Sequence, residues 1–237
     1  MRYDNIRDVT GYSILVGLAT LILMLPACSP RLSTTSDLWD SVHILLIEDK
    51  NGTYPACTAF PIDQDKERTY FATANHCLRG DNFFLAGEFG TLDIIPAVIQ
   101  AQNKKDDTAV LSVQRLIAPI ALGHDPIPGD KINAAFFVKA VYRVLVGGTV
   151  ASFPNPRTSF GTFAVHLAMP VSGSSGGPVF CEDQKAVCGI ISGWQHDTPV
   201  LSMAVPVSNL RRLKWKEDTT GVGKEDTGSS KQKVLEP

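Results

Sequence analysis

The sequence has no block of like charge. Its 22 Lys and Arg residues stand against 24 Asp and Glu, a formal net charge of −2, and it carries no basic stripe of the kind a phosphate backbone demands. Nucleic acid is therefore excluded as a partner. Among five cysteines no C-x-x-C pair occurs, and His43, His124, His166 and His196 show no metal-ligand spacing. Zinc is disfavoured, and those histidines take surface or structural roles. Helical periodicity is scarce and no internal repeat stands out. What remains is a chain of 237 residues, 44% hydrophobic, long enough to bury a core as one domain or two small ones.

The one long apolar run, "GYSILVGLATLILMLPAC", follows Arg2 and Arg7 and ends at Cys28. It barely reaches the length of a spanning helix before Pro26 and a polar stretch, and it reads as an export signal over residues 1–27, although Asp4 and Asp8 offset the two arginines. Leu25-Pro26-Ala27-Cys28 resembles a bacterial lipobox, with Pro26 as a departure. The resemblance implies cleavage before Cys28, a lipid on that cysteine, and a membrane-anchored protein on the periplasmic or cell-surface side; the alternatives are an ordinary signal peptide with a secreted protein, or an uncleaved anchor. Ser29, not Asp, follows the cysteine and leans towards an outer membrane. With Cys28 lipidated, Cys57, Cys77, Cys181 and Cys188 form an even set that could make two bridges in an oxidising compartment.

A polar tether over 28–40 leads into short β-type runs bounded by turn residues: "SVHILLIE", "CTAFPI", "TYFATA", "TLDIIPAVIQ" and "TAVLSV". After the Pro- and Gly-rich "IAPIALGHDPIPGD" come "NAAFFVKAVYRVLV", "TVASF", "GTFAVHLAM", "AVCGIIS" and "PVLSMAVPV". That spacing predicts an all-β barrel or sandwich. One helix is expected over about 206–216, "PVSNLRRLKWK", with Ser208 as its N-cap and Leu210 and Leu213 on one face. Residues 217–237 are polar and Gly-rich and read as a disordered tail.

A serine hydroxyl is a weak nucleophile unless a histidine takes its proton and a carboxylate holds that histidine in the right tautomer. Backbone N–H donors must also face the developing oxyanion, and glycines beside the serine permit the sharp turn that presents them. "GSSGGP", residues 173–178, meets that demand. Gly173-x-Ser175-Gly176-Gly177-Pro178 resembles the nucleophile motif of trypsin/chymotrypsin-like serine peptidases. "TANHC" resembles that family's histidine box and "DTAVL" its aspartate strand.

The resemblance covers about residues 41–215. It implies two six-stranded antiparallel β-barrels of the chymotrypsin type, one over about 41–120 and one over about 130–205, followed by the short helix. It also implies a catalytic triad of His76, Asp107 and Ser175, an oxyanion hole from the N–H groups of Gly173 and Ser175, a polypeptide substrate and no cofactor or metal. Asp106 is the rival carboxylate, but only Asp107 stands two residues before Ala109.

An α/β-hydrolase reading of Gly173-Ser174-Ser175-Gly176-Gly177 is disfavoured, because Pro178 and β-type residues follow the serine and only His196 lies downstream, with no alternating strand and helix pattern around it. The family likeness further implies a bridge between Cys57 and Cys77 anchoring the His76 loop, while Cys181 and Cys188 bracket "EDQKAV", a hairpin just after the nucleophile, where a bridge would rigidify the far side of the cleft. Met169, six positions before the nucleophile, falls at the base of the specificity pocket, where an apolar residue disfavours Arg or Lys substrates. "ISGW", with Ser192, Gly193 and Trp194, resembles the strand that pairs with substrate. Ser174 stands where zymogen-activated members carry the aspartate that binds a new N-terminal amine, so no such activation is expected. A catalytically idle binding module of the same fold is the competing reading.

Overall fold

The structure, a computed structural model, describes residues 35–87, 93–139, 141–167, 171–194 and 201–215. The expected signal, Cys28, Ser29, Met169, His196 and the tail over 217–237 lie outside the described residues, as does the side chain of Trp194.

Among the described residues a helix α1 (Thr35–Ser41) precedes twelve strands. The first six are β1 (His43–Asp49), β2 (Gly52–Gln64), β3 (Thr69–Thr73), β4 (Asn82–Ala86), β5 (Ile94–Asn103) and β6 (Thr108–Val113). They close into a barrel in the order β1-β2-β3-β6-β5-β4. A second barrel follows from β7 (Lys131–Val138), β8 (Tyr142–Val150), β9 (Phe163–Leu167), β10 (Pro178–Cys181), β11 (Ala186–Trp194) and β12 (Leu201–Pro206). Its order, β7-β8-β9-β12-β11-β10, repeats that of the first barrel. Closure leaves neither sheet with an open edge along its full length. The architecture is the double six-stranded antiparallel barrel, with a short C-terminal helix α2 (Val207–Arg211).

The patterning of β1 shows how the barrels meet. Its core reads Ile44-Leu45-Leu46-Ile47, all buried, because each face of the strand covers a different core. Leu45 and Ile47 point into the first barrel with Phe71, Leu85 and Leu111. Ile44 and Leu46 point outward into a cluster between the barrels with Phe60, Val110, Phe137, Phe180 and Val205. A third cluster, including Phe136, Phe163, Leu167 and Ile191, fills the second barrel.

The elements depart from the sequence expectation in several places. The strands β4 and β10 lie outside the expected runs, and "NAAFFVKAVYRVLV" divides into β7 and β8 at a turn where Lys139 adopts φ 50°. Part of the expected tether is helical: α1 buries Leu38 in the cluster between the barrels. The C-terminal helix is shorter than its pattern and is capped differently. Ser208 lies inside it, Pro206 is the N-cap residue with no side-chain cap, and Asp125 from the connection between barrels accepts the Ser208 N–H at 2.9 Å. Tertiary contact there replaces the local cap. Among the described residues no helix is long and apolar enough to cross a membrane.

Candidate active site

His76 sits on a single 3-10 turn, Asn75–Cys77, that leaves the end of β3. The next residue, Cys77, is bonded to Cys57 of β2 with Cα atoms 6.1 Å apart, which fastens the turn to the barrel wall. One carboxylate holds the histidine twice. Asp107 Oδ1 accepts the His76 backbone N–H at 2.9 Å, and Asp107 Oδ2 lies 2.8 Å from His76 Nδ1. A proton on Nδ1 then leaves the Nε2 lone pair available as a base. The imidazole is 32% exposed, whereas the Asp107 side chain is 1% exposed.

Asp107 ends the tight connection from β5 to β6 and adopts φ 47°, in the left-handed region. Such a conformation costs a non-glycine residue on the order of 1 kcal/mol. The surrounding bonds hold it. Asn103 Oδ1 accepts the N–H groups of Lys105 (2.9 Å) and Asp106 (3.2 Å), and the Asp107 carbonyl accepts the Asn75 N–H at 3.2 Å. Asp107 Oδ2 also accepts the hydroxyl of Ser192, from the second barrel, at 2.5 Å. Three donors therefore compensate the burial of one carboxylate. Asp106 points elsewhere, to Asn103 Nδ2 at 2.9 Å and the Arg212 guanidinium at 3.4 Å.

The glycine-rich loop enters the cleft from the second barrel. Gly173 (φ 96°) and Gly176 (φ 85°) occupy backbone conformations that other residues rarely adopt. A Cβ on Gly176 would stand 2.0 Å from the Thr58 carbonyl oxygen and 2.3 Å from Thr73 Oγ1, so the bare backbone lets the two barrels touch. The two adjacent serines differ sharply. Ser174 is buried and its hydroxyl donates to the Val171 carbonyl at 2.7 Å, while Ser175 is half-buried and its Oγ makes no hydrogen bond among the described residues. No bond joins Ser175 Oγ to His76 within that set. Among the described residues, the N–H groups of Gly173 and Ser175 have no protein acceptor either.

Ser192 is the extra residue of a bulge in β11, where pairing with β12 passes from Ile191–Ala204 to Gly193–Met203. Bulges re-aim side chains, and this one turns the hydroxyl to Asp107. Sequence reasoning groups Ser192 with Gly193 and Trp194 as a substrate strand and misses this contact. Gly193 and Trp194 pair with β12 on one side only, because β10 pairs with β11 no further than Ile190. Sequence reasoning also misses Thr58, whose N–H donates to the Ser175 carbonyl at 2.8 Å and whose hydroxyl donates to the Gly173 carbonyl at 2.8 Å. Its only sequence signal is adjacency to Cys57. Cys181 and Cys188 form the second bridge, Cα atoms 5.8 Å apart, across the β10–β11 hairpin and inside the second barrel.

Cys57, His76 and Cys77 present ligand-type atoms within 4.8 Å of one another. The two sulfurs share a disulfide, so neither offers a thiolate and the cluster is an anchor for the histidine turn.

Two closed barrels with this histidine, aspartate and serine loop gathered where they meet define the class of a trypsin-type fold. A family model described as trypsin-like peptidase domain matches residues 57–190, and the chain belongs to that family. Solved structures agree on the fold. The active form of the Rv3671c protease from M. tuberculosis has a TM-score of 0.62 and 13% identity over 79% of this chain and 91% of that one. A serine endoprotease from Yersinia pestis has a TM-score of 0.60 and 16% identity over 75% of this chain and 64% of that one. The HtrA-type protease AlgW, solved with a decapeptide, has a TM-score of 0.59 and 16% identity over 72% of this chain and 62% of that one. A comparison with curated proteins gives no match. Family and fold together support a serine protease.

Proposed function

We propose that the chain is an exported serine endopeptidase that works by acyl transfer. The observation that carries this reading is the 2.8 Å contact between His76 Nδ1 and Asp107 Oδ2, in the cleft that the half-buried Ser175 enters from the other barrel. Ser175 Oγ attacks the scissile carbonyl as His76 Nε2 takes its proton. Asp107 holds the imidazole in the required tautomer and stabilises the imidazolium, and the N–H groups of Gly173 and Ser175 receive the oxyanion. His76 then protonates the leaving amine, and a water molecule, deprotonated by His76, releases the acyl group and restores Ser175.

Residues 192–194, with one backbone edge unpaired among the described residues, would take an extended substrate as an added strand. Met169 would give the specificity pocket an apolar base. Activation needs no N-terminal insertion: the Ser174 position offers a hydroxyl already used by Val171, with no carboxylate for an amine to pair with. A lipid on Cys28 would hold the enzyme at a membrane surface outside the cytoplasm.

The missing bond between Ser175 and His76 favours one other reading, an idle module that grips polypeptide without cleaving it. Labelling with a fluorophosphonate probe separates the two. Wild type should label and Ser175→Ala should not. An unlabelled wild type means the binding module, and labelling that survives Ser175→Ala means another nucleophile.

A further inference from the structure

We propose that Thr58, in the first barrel, is the positioning residue that keeps the oxyanion hole of the second barrel formed. The inference rests on the acyl-transfer reading of Ser175. It answers what that reading leaves open: what holds the Gly173–Ser175 loop when no N-terminal salt bridge can.

Four consecutive peptide units of the loop have their carbonyls held. Ser172 O accepts the Lys139 N–H at 2.6 Å, Gly173 O accepts the Thr58 hydroxyl at 2.8 Å, Ser174 O accepts the Gly177 N–H at 3.0 Å and Ser175 O accepts the Thr58 N–H at 2.8 Å. In a trans peptide the carbonyl and N–H point in opposite directions. Holding Ser172 O and Ser174 O therefore directs the N–H groups of Gly173 and Ser175 the opposite way, and these are the two that lack an acceptor among the described residues. The alternate peptides, 173–174 and 175–176, are both held by Thr58.

The hydroxyl has little freedom to do otherwise. Thr58 is fully buried, its Oγ1 accepts the Phe137 N–H at 3.0 Å, and its one proton is thereby directed to Gly173 O. Its carbonyl accepts the Thr73 hydroxyl at 2.8 Å, three residues before His76, and its chain neighbour Cys57 is bonded to Cys77. The same short piece of β2 thus holds the oxyanion loop and the histidine turn.

The test compares Thr58→Val and Thr58→Ala, which remove the hydroxyl, with Thr58→Ser, which keeps it. The readout is the rate of fluorophosphonate labelling as a function of probe concentration, because the phosphonyl oxygen of the adduct takes the oxyanion position. The maximal labelling rate should fall by at least about tenfold in folded Thr58→Val or Thr58→Ala, the half-saturating concentration should change by less than about threefold, and Thr58→Ser should recover most of the rate. Thr58→Ala, smaller than threonine, carries the test if the valine variant does not fold. A wild-type maximal rate in either folded variant, or a serine variant as slow as the alanine one, overturns the inference. A wild type that does not label, or a Ser175→Ala protein that does, overturns the acyl-transfer reading itself and this inference with it.

Discussion

The Ser192 hydroxyl donates to Asp107 Oδ2 at 2.5 Å across 85 positions of sequence, joining the second barrel to the carboxylate that holds His76 in the first. The contact is available because the bulge between Ile191 and Gly193 turns Ser192 out of the ladder. Removing this donor leaves a carboxylate that is 1% exposed with one fewer partner. Ser192→Ala should lower kcat/KM on an activated ester or peptide by about tenfold, on the scale of one hydrogen bond to a charged group. An unchanged kcat/KM would mean that the His76 turn alone positions Asp107.

Ser174→Ala should leave kcat/KM within about threefold of wild type, because among the described residues the hydroxyl it removes reaches only the Val171 carbonyl, and should cost about 1 kcal/mol in urea unfolding. Ser174→Asp should cost more, since it buries a carboxylate with no cation beside it among the described residues. Activity loss in Ser174→Ala equal to that of Ser175→Ala would exchange the roles of the two serines.

Gly176→Ala should be the most damaging single methyl in the loop. It combines a left-handed φ of 85° with a Cβ placed 2.0 Å from the Thr58 carbonyl oxygen. A loss of about 3 kcal/mol or more in chemical unfolding is expected, together with loss of labelling. A stability change below about 1 kcal/mol would mean the barrels separate there without cost.

Replacing Cys57 and Cys77 together by alanine should destabilise the fold by about 3 kcal/mol, as expected for a bridge closing 20 residues. It should also slow labelling, because the His76 turn loses its covalent anchor. The bridge between Cys181 and Cys188 closes only 7 positions, so its removal should cost less chain entropy, and its effect on labelling should be small.

Acid should weaken the fold through His43. Burial is the main cause that lowers its pKa from the ordinary 6.5, and the charges of Arg143 and Arg115 act in the same direction, against the Ser41 carbonyl bonded to Nδ1 at 2.8 Å and the charge of Asp93. The folded state therefore holds this proton less tightly than the unfolded chain. The contribution is complete above about pH 6.5 and is lost as pH falls from there towards the lowered folded value. His43→Gln should flatten that limb of the curve of unfolding free energy against pH; an unchanged slope would assign it to other groups.

Local chemistry makes much of the site legible in the sequence. The glycines on either side of Ser175, the box around His76 and the strand after Asp107 are short-range patterns, because a tight glycine turn and the strand that follows a carboxylate are built from neighbouring residues. Cysteine parity is informative for a similar reason: setting Cys28 aside leaves four thiols, and both bridges join nearby pairs. Helix α1 leaves no comparable mark, because so short a helix is stabilised by what it packs against, as Leu38 is by the cluster between the barrels.

The sequence by itself determined the family, the all-β character and which serine, histidine and aspartate to single out, since each depends on spacing within a few residues. Only the tertiary structure decided how they are held. Thr58 reaches Gly173 across 115 positions, and Asp107 is bonded to Ser192 while Asp106 turns away to Asn103 and Arg212. Such bonds form when two closed barrels bring distant backbone together, and a single hydroxyl 115 residues from its acceptor leaves no periodicity or motif to read.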